Sequence, residues 1–238
     1  MRIFRFDEID STNIFLKKLD DKKNYDVAIA KTQTLGRGRR GNKWSSEIGG
    51  AYFSFLLEED KNIAMEEYTK LPLVVGYSLL KSFQEMEPEI DFKFKWTNDI
   101  YVNDKKISGI LVEKIEGYFV IGIGINLNNE IKGEAESKGI SLYRLTSKKY
   151  DIEKTIISFI EKFKEVINFY FGGNWEQILS ELNEKNYLYG KKIDIVFSDC
   201  MKKEGVGKNI HKSGQMVITV EGRDELFNVG EIHISKNS

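Results

Sequence analysis

Short stretches of apolar or alternating residues run through the first half of the chain, and helical spacing dominates the stretches between and after them. Strands are predicted at residues 3–6, 27–32, 52–57, 92–97, 107–112 and 118–125. Apolar residues at helical spacing predict helices at residues 12–19, 68–86, 152–167 and 175–182. Ser11 is predicted to cap the first helix, with its hydroxyl accepting from first-turn amides.

The pattern changes after Asn186. Short strands separated by turn residues are predicted at 193–197, 205–210, 216–220, 225–228 and 231–234. Such a series predicts a small barrel appended to a core of helices and strands. The boundary is expected near residues 182–188, which divides the chain into units 1–185 and 186–238.

Composition narrows the class of protein. The 238 residues carry 36 Lys and Arg against 37 Asp and Glu, for a net charge of −1. A dedicated nucleic-acid binder usually has a basic field, so that class is disfavoured, although a local basic patch stays open.

The cysteine content and the apolar stretches point to a cytoplasmic protein without a structural staple. Cys200 is the single cysteine, which excludes an internal disulfide, and with two histidines it leaves too few ligands for a structural zinc site. Acidic residues at the start exclude a secretory signal. The longest apolar stretch, residues 71–80, is interrupted by Pro72 and is too short to span a membrane.

Residues 36–43 form the glycine–arginine loop, and residues 36–41 within it match the G-x-G-x-x-G pattern of dinucleotide sites. That motif requires a helix to begin within the loop, whereas a further strand follows here, so we reject a dinucleotide site. Glycines admit close backbone approach, and Arg37, Arg39, Arg40 and Lys43 suit an anion clamp that is mobile until a polyanion neutralises it. A solvated basic turn or a nucleic-acid-binding arm explains the spacing equally well.

Lys95, at the end of a predicted strand, could stabilise charge on a carboxylate and a phosphoryl group together. The alternative is a lysine on the solvent face, which composition alone favours. Asn98 and Asp99 are interpreted as turn residues or as a route to hydrated Mg²⁺.

Gly122 and Gly124 would let a backbone or a flat ring approach their strand. Asn126 offers the donors and acceptors that an adenine edge needs, although a strand-end turn also explains it. Trp44 could stack on a base or belong to the core.

Together these segments resemble the biotin–protein ligases. The resemblance rests on the ordered set Ser11-Thr12-Asn13, Gln33 with Gly36-Arg37-Gly38-Arg39-Arg40-Gly41, Lys43-Trp44, Lys95-Trp96-Thr97-Asn98-Asp99, Ser108-Gly109-Ile110-Leu111-Val112-Glu113 and Gly122-Ile123-Gly124-Ile125-Asn126. It implies an α+β fold: a mixed, mainly antiparallel sheet flanked by helices, with a small C-terminal β-barrel. One departure is Thr97, which stands where the family's motif usually has proline.

The resemblance also implies a reaction. Biotin and Mg²⁺-ATP would form biotinyl-5′-AMP, and a lysine of a biotin carboxyl carrier protein would then take the biotin. Catalytic roles would fall to Lys95, Arg37 and Arg39. The implied biotin-binding residues are Ser11, Thr12, Asn13, Gln33, Gly36, Arg37, Gly38, Arg39 and Lys95. The implied ATP-binding residues are Arg40, Trp44, Lys95 and Asn126, with no resident metal.

Partners and rivals follow from the same resemblance. It implies a homodimer and, because ten residues precede Ser11, an enzyme without the DNA-binding domain of regulatory members. A lipoate–protein ligase or octanoyltransferase shares the core and is the nearest alternative. A nucleic-acid-binding protein that uses the glycine–arginine loop is the remote one.

Replacing Arg39 with alanine is predicted to weaken retention of the adenylate. The loop is expected to order over the intermediate and to keep water from the mixed anhydride. Free adenylate should therefore leak faster from Arg39→Ala, measured in solution during turnover. Unchanged leakage would count against this role.

Overall fold

The first part of the chain builds a seven-stranded sheet in the order β1-β2-β3-β7-β6-β5-β4. This computed structural model describes residues 1–197, 202–228 and 232–236. The strands of the sheet are β1 (Ile3–Ile9), β2 (Val27–Gln33), β3 (Ala51–Glu58), β4 (Lys93–Lys95), β5 (Asp99–Val102), β6 (Lys105–Ile115) and β7 (Tyr118–Ile125). β1 and β2 are parallel and the other pairs are antiparallel, so the predicted mixed, mainly antiparallel sheet is confirmed.

Helices cover both faces of this sheet. They are α1 (Thr12–Lys18), α2 (Met65–Tyr68), α3 (Leu71–Met86), α4 (Leu142–Thr146), α5 (Ile152–Phe171) and α6 (Trp175–Glu184). On one face, α5 places Phe163 4.9 Å from the ring of Phe55 and Phe159 5.7 Å from the ring of Phe53. On the other face, α1 packs through Leu16 onto Leu56 and Val120. These residues form a second buried apolar cluster on the α1 side of the sheet, which is much smaller than the cluster on the α5 side.

Tight turns fix the register of the strands that carry the site. Asn103 and Asp104 join β5 to β6 with φ values of 48° and 59°, as two-residue hairpins require. Gly117 joins β6 to β7 with φ of 69°. These two turns bring β5, β6 and β7 side by side.

Several local predictions need correction. Ser11 stands at the N-cap of α1, but its side chain makes no capping hydrogen bond. The first-turn amide of Thr12 instead donates to Gln33 Oε1 at 2.9 Å. The helix predicted at 68–86 begins at Leu71 as α3, with Pro72 in its first turn, where a missing N–H costs nothing. The short helix α4 was not predicted.

The C-terminal strands form a separate five-stranded sheet in the order β11-β10-β9-β8-β12. They are β8 (Lys192–Phe197), β9 (Lys202–Ile210), β10 (Met216–Val220), β11 (Arg223–Phe227) and β12 (Ile232–Lys236). Among the described residues β11 and β12 are edge strands, so the expected barrel is open. Cys200 lies outside the described residues. The division into units 1–185 and 186–238 stays a prediction.

The two sheets share one apolar core. Ile193, Ile195 and Ile218 of the small sheet belong to the same buried cluster as Phe94 of β4. Polar contacts reinforce this junction, because the Trp96 indole N–H donates to the Gly214 carbonyl at 2.9 Å. In the ranges that the structure covers, no helix combines the length and apolar character needed to cross a membrane.

Truncating Phe159 should destabilise the fold strongly. Its side chain is 1% exposed between α5 and the sheet, and removing a buried ring costs about 3–5 kcal/mol of the free energy of unfolding. Phe169 lies on the same helix but is 36% exposed, so Phe169→Ala is a matched control with a much smaller expected loss. Urea denaturation of both variants measures the difference. Equal losses would contradict the packing described here.

Candidate active site

A cleft lies on the α1 face of the large sheet, where glycines leave the strands without side chains. Gly109 of β6 and Gly124 of β7 are register partners, and Gly122 precedes Gly124 on the same face. A Cβ at Gly122 would lie 2.0 Å from Asn13 Oδ1, and one at Gly124 would lie 2.4 Å from Trp44 Cε2. The cleft therefore depends on the absence of these Cβ atoms.

Buried polar side chains form one end of the cleft, next to Gly122. The hydroxyl oxygens of Thr12 and Ser54 are 2.6 Å apart, and the Ser54 hydroxyl donates to Asn13 Oδ1 at 2.5 Å. Because Ser54 gives its one proton to Asn13, the single proton of the Thr12 hydroxyl is shared between Ser54 and Gln33 Oε1, which lies 3.1 Å from Thr12 Oγ1. Gln33 Oε1 accepts from the Thr12 amide, and its Nε2 donates to Ser46 Oγ at 3.2 Å.

Glu113 sets the orientation of the Asn13 amide. Asn13 Nδ2 donates to Glu113 Oε2 at 2.8 Å, and Lys17 Nζ lies 2.5 Å from Oε1 of the same carboxylate. Burial alone would raise the pKa of Glu113, but the hydrogen bonds from Asn13 and Lys17 hold it below its usual range. Because a carboxylate only accepts, the Asn13 amide turns its NH₂ group towards Glu113 and its oxygen towards Ser54.

The other end of the cleft is strongly cationic. The cleft as a whole is a cavity of about 180 Å³, and Asp99 is the single acidic side chain among its described lining residues. Its basic lining residues are Arg37, Arg39, Arg40, Lys43, Lys95 and Lys106. Lys106 Nζ is 2.7 Å from Asp99 Oδ1 and 5.0 Å from the centroid of the Trp44 ring. This excess of positive charge favours an anionic ligand.

Lys95 lines the cleft, half-buried and with weak compensation of its charge. Its Nζ lies 3.4 Å from the Tyr101 hydroxyl and 5.0 Å from the centroid of that ring, and within the described ranges no carboxylate is at ion-pair distance. Burial lowers the pKa of Lys95, with a further lowering from Lys106 and Lys191 that Asp99 opposes. The alternative of a lysine on the solvent face is therefore wrong.

The glycine–arginine loop folds as a hairpin over the cleft. The Trp44 amide donates to the Gly36 carbonyl at 2.9 Å, and the Gly38 amide donates to the Asn42 carbonyl at 2.7 Å. No long helix begins in the loop, only a short 3₁₀ turn at Arg39–Gly41, which agrees with rejecting a dinucleotide site. The predicted mobility of the loop without ligand stays a prediction.

Arg39 joins this loop to the turn that follows β4. Its Nη1 donates to Thr97 Oγ1 at 2.5 Å and to Asn98 Oδ1 at 3.0 Å. Burial lowers the pKa of Arg39, and the nearby Arg40 lowers it further, against Asp99. The guanidinium remains charged, because an arginine titrates far above neutral pH.

A second cavity of about 590 Å³ adjoins the first. The residues common to both are Lys43, Trp44, Lys95, Asp99 and Lys106. Asn126 lines the second cavity together with Tyr101 and Tyr187, and its Oδ1 accepts from Asn129 Nδ2 at 3.1 Å. Over the described part of the chain, no cluster of three or more His, Cys, Asp or Glu side chains could hold a metal ion.

Comparison with known proteins places this arrangement in a family. Residues 5–129, more than half of the chain, match the model of the biotin/lipoate A/B protein ligase family. The chain belongs to this ligase family. Biotin protein ligase from Aquifex aeolicus, solved in complex with biotin and ATP, superposes with a TM-score of 0.89 at 30% identity, covering 99% of each chain.

Curated ligases give the same result at lower identity. The bifunctional ligase/repressor BirA of Escherichia coli (strain K12) is 27% identical over 238 residues, covering 95% of this chain and 72% of that protein. The biotin–[acetyl-CoA-carboxylase] ligase of Mycobacterium tuberculosis is 22% identical over 208 residues, covering 87% of this chain and 77% of that protein. The family assignment therefore extends over most of the chain.

Most of the site residues predicted for this ligase line the first cavity. They are Ser11, Thr12, Asn13, Gln33, Arg37, Gly38, Arg39, Arg40, Trp44 and Lys95. Asn126 lies in the second cavity instead, and Gly36 lines neither among the described residues. A Cβ at Gly36 would lie 2.4 Å from the Trp44 carbonyl oxygen, so this glycine serves to close the hairpin. The ligand roles of all these residues stay predictions.

Some residues of the site were not predicted. Lys106 lines both cavities, and Ser54 completes the polar network from within an otherwise apolar strand. The available sequence signal for Ser54 was a single serine among the apolar residues of Ala51–Glu58. Lys106 carries no comparable signal, because it follows Lys105 at the polar start of β6. The flat ring that reaches Gly124 is the chain's own Trp44.

Replacing Lys95 with methionine should raise the free energy of unfolding at neutral pH. Below its lowered pKa, Lys95 is charged in both states, and its desolvation in the fold destabilises the protein. Above the ordinary lysine value of 10.5 it is neutral in both states, so the gain should shrink towards alkaline pH. Urea denaturation near pH 7 and at about pH 10.5 measures the gain.

Lys93→Met is the matched control for that experiment. Lys93 lies on the same strand but pairs with Asp91 at 3.0 Å, so its removal should bring no gain. A Lys95→Met variant less stable than the parent at neutral pH would contradict an uncompensated, half-buried charge at Lys95.

Proposed function

We propose that this protein is an ATP-dependent biotin–protein ligase. The observation that carries the proposal is the order of polarity along β7. Asn13 and the polar network stand at Gly122, and Trp44 with the basic side chains stands at Gly124, about 7 Å further along the strand. Biotin has the same order, with a ureido group that donates and accepts, an apolar middle and a carboxylate. The network would hold the ureido group and the cations would hold the carboxylate.

The first step joins biotin to the nucleotide. A carboxylate oxygen of biotin attacks the α-phosphorus of ATP, and the bond from that phosphorus to the bridging oxygen breaks to release pyrophosphate. Lys95 and the arginines Arg37 and Arg39 would stabilise the negative charge on the carboxylate and phosphoryl oxygens. Arg39, held by Thr97 and Asn98, and Lys95, in contact with Tyr101, would supply orientation as well as charge.

The second step transfers the biotinyl group. An acceptor lysine nitrogen attacks the carbonyl carbon of the mixed anhydride, the carbon–oxygen bond to the phosphate breaks, and AMP leaves while the amine loses a proton. We propose that the acceptor belongs to the carrier protein of a biotin-dependent carboxylase, which agrees with the name of the Mycobacterium tuberculosis relative. Homodimerisation and a cytoplasmic location complete the proposal and rest on the motifs and composition.

ATP would occupy the second cavity. Trp44 lies between the two cavities and could stack on the base, and Asn126 could contact the adenine edge. Mg²⁺ would arrive with the nucleotide. Asn98 Oδ1 and Asp99 Oδ1 are engaged by Arg39 and Lys106, so the fit of these residues to a magnesium site is poor and the turn interpretation is favoured.

ATP–pyrophosphate exchange tests the first step directly. Exchange by the purified protein is expected with biotin and not with lipoate or octanoate. Lys95→Ala should reduce the biotin-dependent exchange by about 10²–10³-fold, because the cleft loses a preorganised charge at the reacting groups. Lys93→Ala, on the same strand and outside the cleft lining, should retain the exchange.

Any other outcome of the exchange experiment would change the proposed substrate or the proposed reaction. Exchange that needs lipoate would move the substrate to the sister branch of the family. No exchange with any acid would overturn adenylation, and the glycine–arginine loop would then be tested for salt-dependent binding to DNA or RNA.

A further inference from the structure

Thr97 places a buried hydroxyl against the glycine–arginine loop. Thr97 is 2% exposed, and its Oγ1 accepts a hydrogen bond from Arg39 Nη1. The residue that the family's motif usually has here, proline, carries no hydroxyl. The contact is therefore a property of this chain and not of the motif.

The turn that carries Thr97 is held from two sides. Trp96 on its N-terminal side donates to Gly214 in the small sheet at 2.9 Å. Asn98 on its C-terminal side donates through Nδ2 to the Ile110 carbonyl at 2.8 Å and accepts from the Ile110 amide at 2.9 Å. Thr97 thus presents its oxygen from a fixed frame.

The loop has less support of its own. Its hairpin depends on a few backbone hydrogen bonds, and an isolated hairpin of this kind is marginal in water. Arg37, Arg39 and Arg40 also repel one another. The two hydrogen bonds from Arg39 to the turn oppose that repulsion, and hydrogen bonds from a charged donor are the strong ones.

We propose that Thr97 is a positioning residue that latches the glycine–arginine loop over the cleft through Arg39. The latch uses both N–H groups of Nη1. In the ranges covered by the structure, Nε and Nη2 have no hydrogen-bond acceptor, so they remain available to an anionic ligand. The value of the latch for catalysis rests on the proposed ligase function, whereas the latch itself does not.

Hydrogen–deuterium exchange of residues 36–44 without ligand tests the latch. Thr97→Val keeps the shape and removes the acceptor, so exchange of this segment should become about tenfold faster, the factor expected for losing one hydrogen bond to a charged group. Thr97→Ser retains a hydroxyl and should keep the protection. Segments of β7 serve as the internal control, because their ladder does not involve the turn.

Arg39→Met tests the same bonds from the loop side without changing the turn. Arg39→Met should accelerate exchange at least as much as Thr97→Val, because it removes the hydrogen bonds to both Thr97 and Asn98. The double variant should add little to Arg39→Met, because both substitutions remove the same Arg39–Thr97 hydrogen bond. Unchanged exchange in Thr97→Val or in Arg39→Met would overturn the latch, as would simple addition of the two effects. Faster exchange confined to β7 and the turn would assign Thr97 to packing instead.

Adenylate leakage then separates the latch from the function. With biotin-dependent exchange present in the parent, Thr97→Val should release free adenylate faster than Thr97→Ser. Loss of loop protection with no such exchange in the parent would leave the latch in place and overturn the ligase proposal.

Discussion

Missing side chains on two paired strands determine where this protein can hold a ligand. Gly109, Gly122 and Gly124 expose the backbone of β6 and β7, and the side chains that reach this bare strip come from elsewhere in the chain. Asn13 arrives from α1 and Trp44 from the segment after the glycine–arginine loop. A methyl group at Gly122 would overlap Asn13, and one at Gly124 would overlap Trp44. The polar end and the cationic end of the cleft therefore both require glycine on β7.

The cleft concentrates charge that the rest of the protein balances. Its described lining residues include six basic side chains and one carboxylate, although the whole chain is nearly neutral. Asp99 pairs with Lys106, whereas Lys95 contacts the hydroxyl and ring of Tyr101 and has no carboxylate at ion-pair distance among the described residues. An arrangement with so little internal compensation is suited to binding anions and lowers the stability of the fold at neutral pH. The apolar core, which continues through both sheets, supplies that stability.

Local patterns predicted most of the strands and the long helices, because burial on one side leaves a periodic trace in the sequence, but they missed β5. They could not predict that β1 and β2 are parallel or that β11 and β12 are edge strands over the described residues, since pairing depends on distant segments. At the site, motif residues such as Lys95 and Arg39 were predictable. Ser11 shows the limit, because Gln33 takes the amide contact that its hydroxyl was expected to make. The pairing of Lys106 with Asp99 likewise depends on tertiary structure.

The hydrogen bond from Trp96 to Gly214 gives the small sheet a part in the geometry of the cleft without a place in its lining. Trp96 precedes the residues that hold Arg39 and follows Lys95, so the backbone on both sides of it belongs to the reacting region. The small sheet and the cleft are consequently not independent modules. A recombinant chain that joined this core to a foreign C-terminal sheet would keep all the motifs but would lack the Trp96–Gly214 hydrogen bond that helps to position them.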